Sequence, residues 1–423
     1  MTAAENRFDM GAEPTQTGGG RQWQESAKLA LRMTDHGERA AAWLADKGPS
    51  MEETLAPLVA VNSFTENVKG GNEVGAALRA HFEDAGLDAR VEESRVFAHH
   101  LVFSSRSRVS ASPLALVGHL DTVFPPGTFE GYTRDGELAR GPGVLDMKGG
   151  LVVVLYALRA LASTGGLGDV APLRLVIVAD EEVGSPEGQK VIERAIAGCR
   201  ACLVFEAGRA RVAIITRRKG TGSMMARAHG VAAHAGNQHA EGKNAIWALS
   251  RFIDRAQGLT DYPRGVTVNV GKIAGGQGKN TVPDEADAWV DARFCTRADG
   301  DAVVLALDEA ARAAAASVPG TRIELEGGIA RLPLERTAES HALYLEYAAS
   351  ARASGLGEEE APLIGGGSDA STSSAMGIPS IDGLGPRGKG FHTKDEQIEV
   401  RSLVPKAEAL ARFLASAAAS GPR

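Results

Sequence analysis

The sequence predicts an α/β protein built on a mixed, mainly parallel central sheet, interrupted by a separate α+β module. Three observations carry this reading. Apolar runs at Leu114–Val117, Leu173–Val178 and Leu203–Phe205 look like strands buried on both faces. Helical segments at Gly150–Leu161 and Glu187–Ala197 lie between them, so strand and helix alternate. Ala286–Phe294 behaves differently: Ala286, Ala288, Val290, Ala292 and Phe294 alternate with Asp287, Asp291 and Arg293, as in a half-exposed antiparallel strand.

Taken in order, residues 1 to about 24 read as a Gly-rich flexible tail. A helix is expected over Ala27–Lys47 and another after Glu52. Gly75–Phe82 reads as a helix that stops near Gly86, and Ala89–Val91 as a strand piece. Past the apolar strands, Thr221–Ala228 and Val266–Ile273 are further strand candidates, separated by helices at Asn244–Arg255 and Ala302–Ala315. These define the inserted module, at 215–328, between a first α/β segment at 25–214 and a second at 329–423. The chain returns to apolar sequence around Pro362–Ile364 and ends in a helix at Leu403–Ala418.

Composition narrows the class of function. The 423 residues are 43% hydrophobic and 23% charged, a soluble globular balance. The net charge of −7 argues against a nucleic-acid partner. Three cysteines do not make a disulfide scaffold, and Cys199 and Cys202 read as small hydrophobes beside a buried strand. The longest apolar stretches fall well short of the ~20 residues of a membrane helix, so a cytoplasmic setting with no membrane contact is expected.

The chemistry collects where the buried strands end, which is where open α/β sheets place ligands. The first ends in Gly118-His119-Leu120-Asp121, an imidazole with a carboxylate able to hold its ring. Asp146 follows in the turn Arg140–Gly150; it reads either as a metal ligand or as a helix N-cap. The strand Leu173–Val178 leads into Asp180-Glu181-Glu182. If the chain stays extended there, Glu181 and Glu182 face opposite ways, one to a metal and one to a substrate; a solvated acidic loop is the alternative. Glu206 closes the third apolar strand, and His392 follows a Gly/Pro-rich loop. Two imidazoles with bridging and terminal carboxylates suit a pair of zinc ions, which together ionise one water. Two other motifs fail on context. Gly383–Lys389 lacks the Ser/Thr and the strand–helix setting of a phosphate loop, and Gly366–Ala370 lacks the strand before a nucleophilic serine.

Seven motifs in order now carry a resemblance. They are Gly118–Asp121, Gly141–Gly149, Asp180–Ser185, Phe205-Glu206, Ala233–Gly236, Gly365–Asp369 and Phe391-His392. The chain resembles the dizinc exopeptidase and deacylase family (metallopeptidase family 20), which holds glutamate carboxypeptidase, acetylornithine deacetylase, succinyl-diaminopimelate desuccinylase and aminoacylase. The likeness is strongest to the glutamate carboxypeptidase branch. It implies a zinc-exopeptidase catalytic domain, split in sequence by a lid and dimerisation domain. It implies two Zn²⁺ per chain, with Co²⁺ or Mn²⁺ as substitutes. Asp146 would bridge the metals, His119 and Glu206 would complete one site, and Glu182 and His392 the other. Asp121 would support His119, and Glu181 would be the general base. His234 would reach the scissile carbonyl, commonly from the partner subunit of a homodimer. Arg293 and Asn280 would hold the substrate carboxylate, and Gly366, Gly367 and Ser368 would line the pocket. A cis peptide is implied at Asp146–Met147. Arg217, Arg218 and Lys219 read either as cationic recognition of an acidic group or as solvated charges. The implied activity is zinc-dependent cleavage of an amide next to a free carboxylate, in a small molecule or short peptide. A deacylase of the same family, or a relative without catalysis, is the alternative.

Overall fold

The structure is a computed structural model that describes residues 35–208 and 213–417. The tail expected at 1–24, the start of the helix expected from Ala27, and Ala418 lie outside the described residues. The central sheet contains β1 (Leu87–Glu92), β2 (His100–Ser105), β3 (Leu114–His119), β4 (Leu173–Val178), β5 (Ala201–Val204) and a short edge strand, Ser380–Ile381. Their order is β1-β2-β4-β3-β5-edge. β4, β3, β5 and the edge strand run parallel, while β1 and β2 join antiparallel.

Both faces of this sheet are covered, which is why its strands are apolar without alternating. Leu114 and Leu116 of β3 pack into one core with Leu55, Leu155 and Leu410. These come from the helices Gly48–Ala60, Lys148–Ser163 and Leu403–Ala417. Ala115 and Val117 point into a second core with Val191, Ile192 and Ala370. Each fully buried Leu or Val contributes about 1.5–3 kcal/mol of transfer free energy, so these two cores dominate the favourable side of folding. Because β3, β4 and β5 are parallel, their C-terminal ends emerge along one edge, where the acidic and histidine motifs sit.

The inserted module has its own sheet and core. β6 (Gly220–His229), β7 (Thr267–Gly275), β8 (Glu285–Phe294) and β9 (Arg322–Arg331) pair antiparallel in the order β7-β8-β6-β9. Helices Ala245–Gln257 and Arg297–Ser317 cover one face, burying Leu249, Phe252 and Leu307 against Val290 and Phe294. β8 alternates between buried and half-exposed along its length, as its sequence predicts. A third small sheet joins Thr133–Asp135 and Leu138–Arg140 to a hairpin of Gly388–Lys389 and Gln397–Glu399.

Several elements escape the sequence reading. β9 alternates Ile323 and Leu325 with Glu324 and Glu326, but this run is short, breaks off at Gly327 and Gly328, both at positive φ, and is only partly buried against the module's core. The helix Ala338–Ala353 is Ala-rich and is started by a capping box of Thr337 and Ser340 rather than by an apolar stripe. The helix expected after Glu52 begins at Gly48, with proline in its first turn, where a missing N–H costs nothing. Among the described residues, no helix is long and apolar enough to cross a membrane.

Candidate metal centre

His119 is the last residue of β3 and is buried. Its Nδ1 lies 3.0 Å from the Asp121 carbonyl oxygen and 3.3 Å from Asp121 Oδ1. That side of the ring is therefore fixed, and Nε2 is directed at Asp146 Oδ1 (3.4 Å) and Glu206 Oε1 (3.6 Å). Across Asp146 sits the second imidazole. His392 Nε2 lies 3.4 Å from Asp146 Oδ2 and 3.0 Å from Glu182 Oε2. Asp146 thus presents one oxygen to each imidazole. His392 occupies the tip of the Gly388–Glu399 hairpin at φ 61° and is half exposed, whereas His119 is enclosed.

The Asp146 loop is held from behind by a residue that sequence reading missed. The buried Glu396 accepts hydrogen bonds from the backbone N–H groups of Gly143, Leu145 and Asp146 at 2.9–3.2 Å. Burial nonetheless pushes its carboxyl up to about 8. It reads as one more charge in Lys394-Asp395-Glu396, so nothing in the sequence signals it. The Asp146–Met147 peptide is cis, as the resemblance implies. Asp146 does not cap the helix Lys148–Ser163; that N-cap position falls on Met147. The helix starts against β5 without a side chain at Gly150, where a Cβ would come within 2.1 Å of the Phe205 carbonyl oxygen.

Glu181 and Glu182 do not continue the strand. Glu181–Val183 forms a 3₁₀ turn, because both carboxylate oxygens of Asp121 accept backbone N–H groups there. Asp121 Oδ1 receives Glu181 N and Oδ2 receives Glu182 N, each at 3.2 Å, and Thr65 Oγ1 adds a third bond at 2.8 Å. The turn still sends the two side chains apart. Glu182 meets His392, while Glu181 Oε1 accepts a 2.6 Å bond from Arg331 Nη1. Arg331 is another residue that the sequence reading missed.

The electrostatics are those of an unfinished site. Burial would raise Asp146, yet the imidazoles of His119 and His392 beside it hold it well below the usual carboxylate range. Asp146 Oδ1 is among the buried atoms left without a hydrogen bond. Burial pushes Glu182 up to about 7. Hydrogen bonding with Asp146 and Glu182 raises His392 to about 10. Ligand atoms of His119, Asp146 and Glu182, and of His119, Glu181 and Glu206, lie within 4.8 Å of one another. Carboxylate oxygens and imidazole nitrogens at these spacings are the donor set of a divalent cation, and the orphaned Asp146 oxygen fits one.

A cavity of about 790 Å³ opens over this cluster. Asp146, Glu181, Glu206 and His392 form one wall, and Ala207, Ala213, Ala361 and Pro362–Gly367 much of the rest. Of the expected pocket residues, Gly366 and Gly367 line it. Ser368 is buried behind them, its Oγ donating to Asp382 at 2.6 Å. Arg218 is neither solvated nor free. It is buried, with Nε 2.6 Å from Asp382 Oδ2 and Nη1 3.2 Å from the Gly366 carbonyl oxygen. His234, Asn280 and Arg293 stand outside the cavity lining. His234 is exposed on a two-residue ladder with Thr281, beside Asn280, whose carbonyl oxygen accepts Ala235 N. Arg293 is bound bidentately by Asp291 at 2.8–2.9 Å. Cys199 and Cys202 are free and buried, as expected.

Comparison with known proteins decides the family. The model of the peptidase family M20/M25/M40 matches residues 115–416, which include every expected metal ligand. The chain belongs to this family. It is 27% identical over 389 residues to carboxypeptidase G2 of Pseudomonas sp., covering 87% of this chain and 89% of that protein. It is also 30% identical over 259 residues to acetylornithine deacetylase of Myxococcus xanthus, covering 57% of this chain and 66% of that one. In fold it is similar to a tripeptidase of Staphylococcus aureus, with a TM-score of 0.75 at 25% identity, covering 88% and 98% of the two chains. The aminopeptidase PepT of Bacillus cereus superposes with the same TM-score at 22% identity, covering 87% and 98%. The family makes the protein a hydrolase of the metallopeptidase and amidohydrolase kind.

Proposed function

We propose that this M20 protein is a two-zinc hydrolase that cleaves an amide bond next to a free carboxylate, as a glutamate carboxypeptidase-like exopeptidase releasing a C-terminal amino acid. The observation that carries the reading is Asp146 set between two imidazoles, with Glu181 beside it on the cavity wall. His119, Glu206 and Asp146 would hold one ion, and Glu182, His392 and Asp146 the other. Bound there, the ions supply Lewis acidity and a water ionised near neutral pH. Glu181 would accept a proton from the attacking water and pass it to the leaving amine. Asp121 keeps the His119 ring oriented and fixes the turn that aims Glu181. Gly366 and Gly367 offer backbone groups to the substrate.

In this reading a homodimer in the cytoplasm brings His234 of a second copy to the scissile carbonyl, where it stabilises the oxyanion. Arg293, with Asn280 nearby, takes the substrate carboxylate in place of Asp291, since a guanidinium binds either in the same two-pronged way. A second reading, N-acyl-amino-acid deacylase, is favoured by the apolar wall of Ala207, Ala213, Ala361, Pro362, Leu363 and Ile364. The test is hydrolysis of a panel of dipeptides and N-acyl amino acids with zinc, varying the C-terminal residue. Cleavage of dipeptides ending in glutamate supports the first reading, and cleavage only of N-acyl amino acids the second. Glu181→Ala should retain its zinc and lower kcat by about three orders of magnitude or more on any substrate found. Near-normal turnover in that variant would remove Glu181 from the role of base.

A further inference from the structure

Arg331 closes the inserted module. It is the last residue of β9, just beyond Gly327 and Gly328 at positive φ and an irregularity in register at Ile329. From this strand end its side chain reaches back to Glu181 and Asp369, where it is largely buried. Nη1 donates to Glu181 Oε1 at 2.6 Å and lies 3.5 Å from Asp369 Oδ1. Nη2 donates to the Glu181 carbonyl oxygen and to Ser185 Oγ, both at 3.3 Å. Ser185 Oγ in turn donates to Asp369 Oδ1 at 2.5 Å, and Asp369 directly follows the Gly365–Ser368 loop of the cavity wall. One guanidinium therefore holds the side chain and the backbone of Glu181, the end of its turn, and the base of the glycine loop.

We propose that Arg331 is a positioning residue for Glu181, tying the aim of that carboxylate to the end of β9 in the inserted module. The proposal rests on the role given to Glu181 above. A single ammonium cannot replace Arg331, because the planar fork serves a carboxylate and a carbonyl of the same residue at once. Holding Oε1 fixes the carboxylate plane and leaves Oε2 without a hydrogen-bond partner among the described residues. A flexible glutamate would lose this orientation, and misplacing a reacting group by about 1 Å costs on the order of 10²-fold in rate.

The experiment uses the full chain with Arg331→Met and Arg331→Lys, the latter covering the case in which methionine unfolds the end of β9. On a substrate that the wild type hydrolyses, both variants should keep their metal and lose about 10²-fold in kcat with KM nearly unchanged. Added guanidinium at millimolar concentration should restore part of the kcat of Arg331→Met. A raised KM with kcat unchanged would make Arg331 a substrate anchor and overturn the proposal. A second arm needs no substrate. Hydrogen exchange at the amides of Glu181–Ser185 should speed up in Arg331→Met while exchange in β3 and β4 stays as in the wild type. Unchanged exchange in that turn overturns the proposal whatever the protein hydrolyses. A wild type inactive on the whole panel counts against the proposed function, and the exchange arm still decides the positioning role.

Discussion

The candidate metal-ligand cluster, buried apart from the half-exposed His392, and the buried Arg218–Asp382 pair, whose Arg218 lines the same cavity, meet burial in opposite ways. Asp382 accepts from Arg218 Nε, Ser368 Oγ and its own neighbour Gly383 N at 2.5–2.6 Å. Arg218 Nη1 faces the carbonyl oxygens of Gly366 and Gly367 in the glycine loop at 3.2 and 3.5 Å. Charge and hydrogen bonding close within that network. The ligand cluster does not close: Asp146, Glu182 and Glu206 converge on two imidazoles, and a buried oxygen of Asp146 has no hydrogen bond. Burial opposes ionisation of Glu206, and the charge of Asp146 adds to it, so its carboxyl is held well above its ordinary value. A buried polar group without a partner costs about 1–3 kcal/mol, and a protein keeps such a cost where something else binds. The difference separates charges that serve the fold from charges that serve a ligand.

The largest effect is expected from breaking the closed network. Arg218→Met leaves Asp382 ionised in the interior without its cation. A loss of about 3–5 kcal/mol is expected in equilibrium denaturation. Replacing both partners, as in Arg218→Met with Asp382→Leu, should recover much of that loss, because no uncompensated charge remains. If Arg218→Met cost less than about 1 kcal/mol, the pair would not be the latch that the geometry describes.

Removing a ligand should act with the opposite sign. Glu206→Gln keeps the shape of the side chain and takes one negative charge out of the cluster. The metal-free variant should melt at a higher temperature than the metal-free wild type, a gain of about 0.5–2 kcal/mol. Zinc should stabilise the wild type strongly and the variant weakly, since the variant has lost one ligand oxygen charge. Thermal melts with chelator and with zinc would show both. A metal-free Glu206→Gln less stable than the wild type would mean that Glu206 works for the fold.

The same contrast explains what the sequence makes visible. His119, Glu206 and the Asp180–Glu182 run are legible because each follows an apolar strand, and parallel strands bring their ends to one edge. Strand burial announced them. The 3₁₀ turn at Glu181–Val183 was not legible, because it depends on Asp121, about sixty residues earlier in the chain, accepting two N–H groups. Arg331 and Glu396 were invisible for a similar reason. Each is a lone charge in a polar stretch, and its partners lie about 150 and 250 residues away in sequence. Arg218 stood in a basic triplet whose burial depends on Asp382 arriving from the far end of the chain. In the fold, periodicity exposed β8 and the buried strands but not β9, whose short alternation of Ile323 and Leu325 breaks off at Gly327-Gly328 and whose apolar side chains are only partly buried against the module's core.

Lys406 gives a third form of the comparison, a buried amine with neither a ligand nor an anion to pair with among the described residues. It sits on the helix Leu403–Ala417, fully enclosed, and among the described residues its Nζ finds only the Gly383 carbonyl oxygen, at 3.5 Å. Burial, helped by the positive charge of Arg387, lowers it from 10.5 to about 7. Between these values the unfolded chain binds a proton that the native chain does not. Its contribution to stability therefore rises with pH from about 7 toward 10.5 and is lost as pH falls through about 7. The slope for one such group approaches about 1.4 kcal/mol per pH unit. Lys406→Met fills the same volume and cannot titrate. Compared with the wild type under identical metal conditions, it should be more stable at pH 7, and the difference between the two proteins should shrink steadily up to pH 10. Denaturation midpoints at pH 7, 8, 9 and 10 would measure this, and parallel curves for the two proteins would show that Lys406 keeps its proton inside the fold.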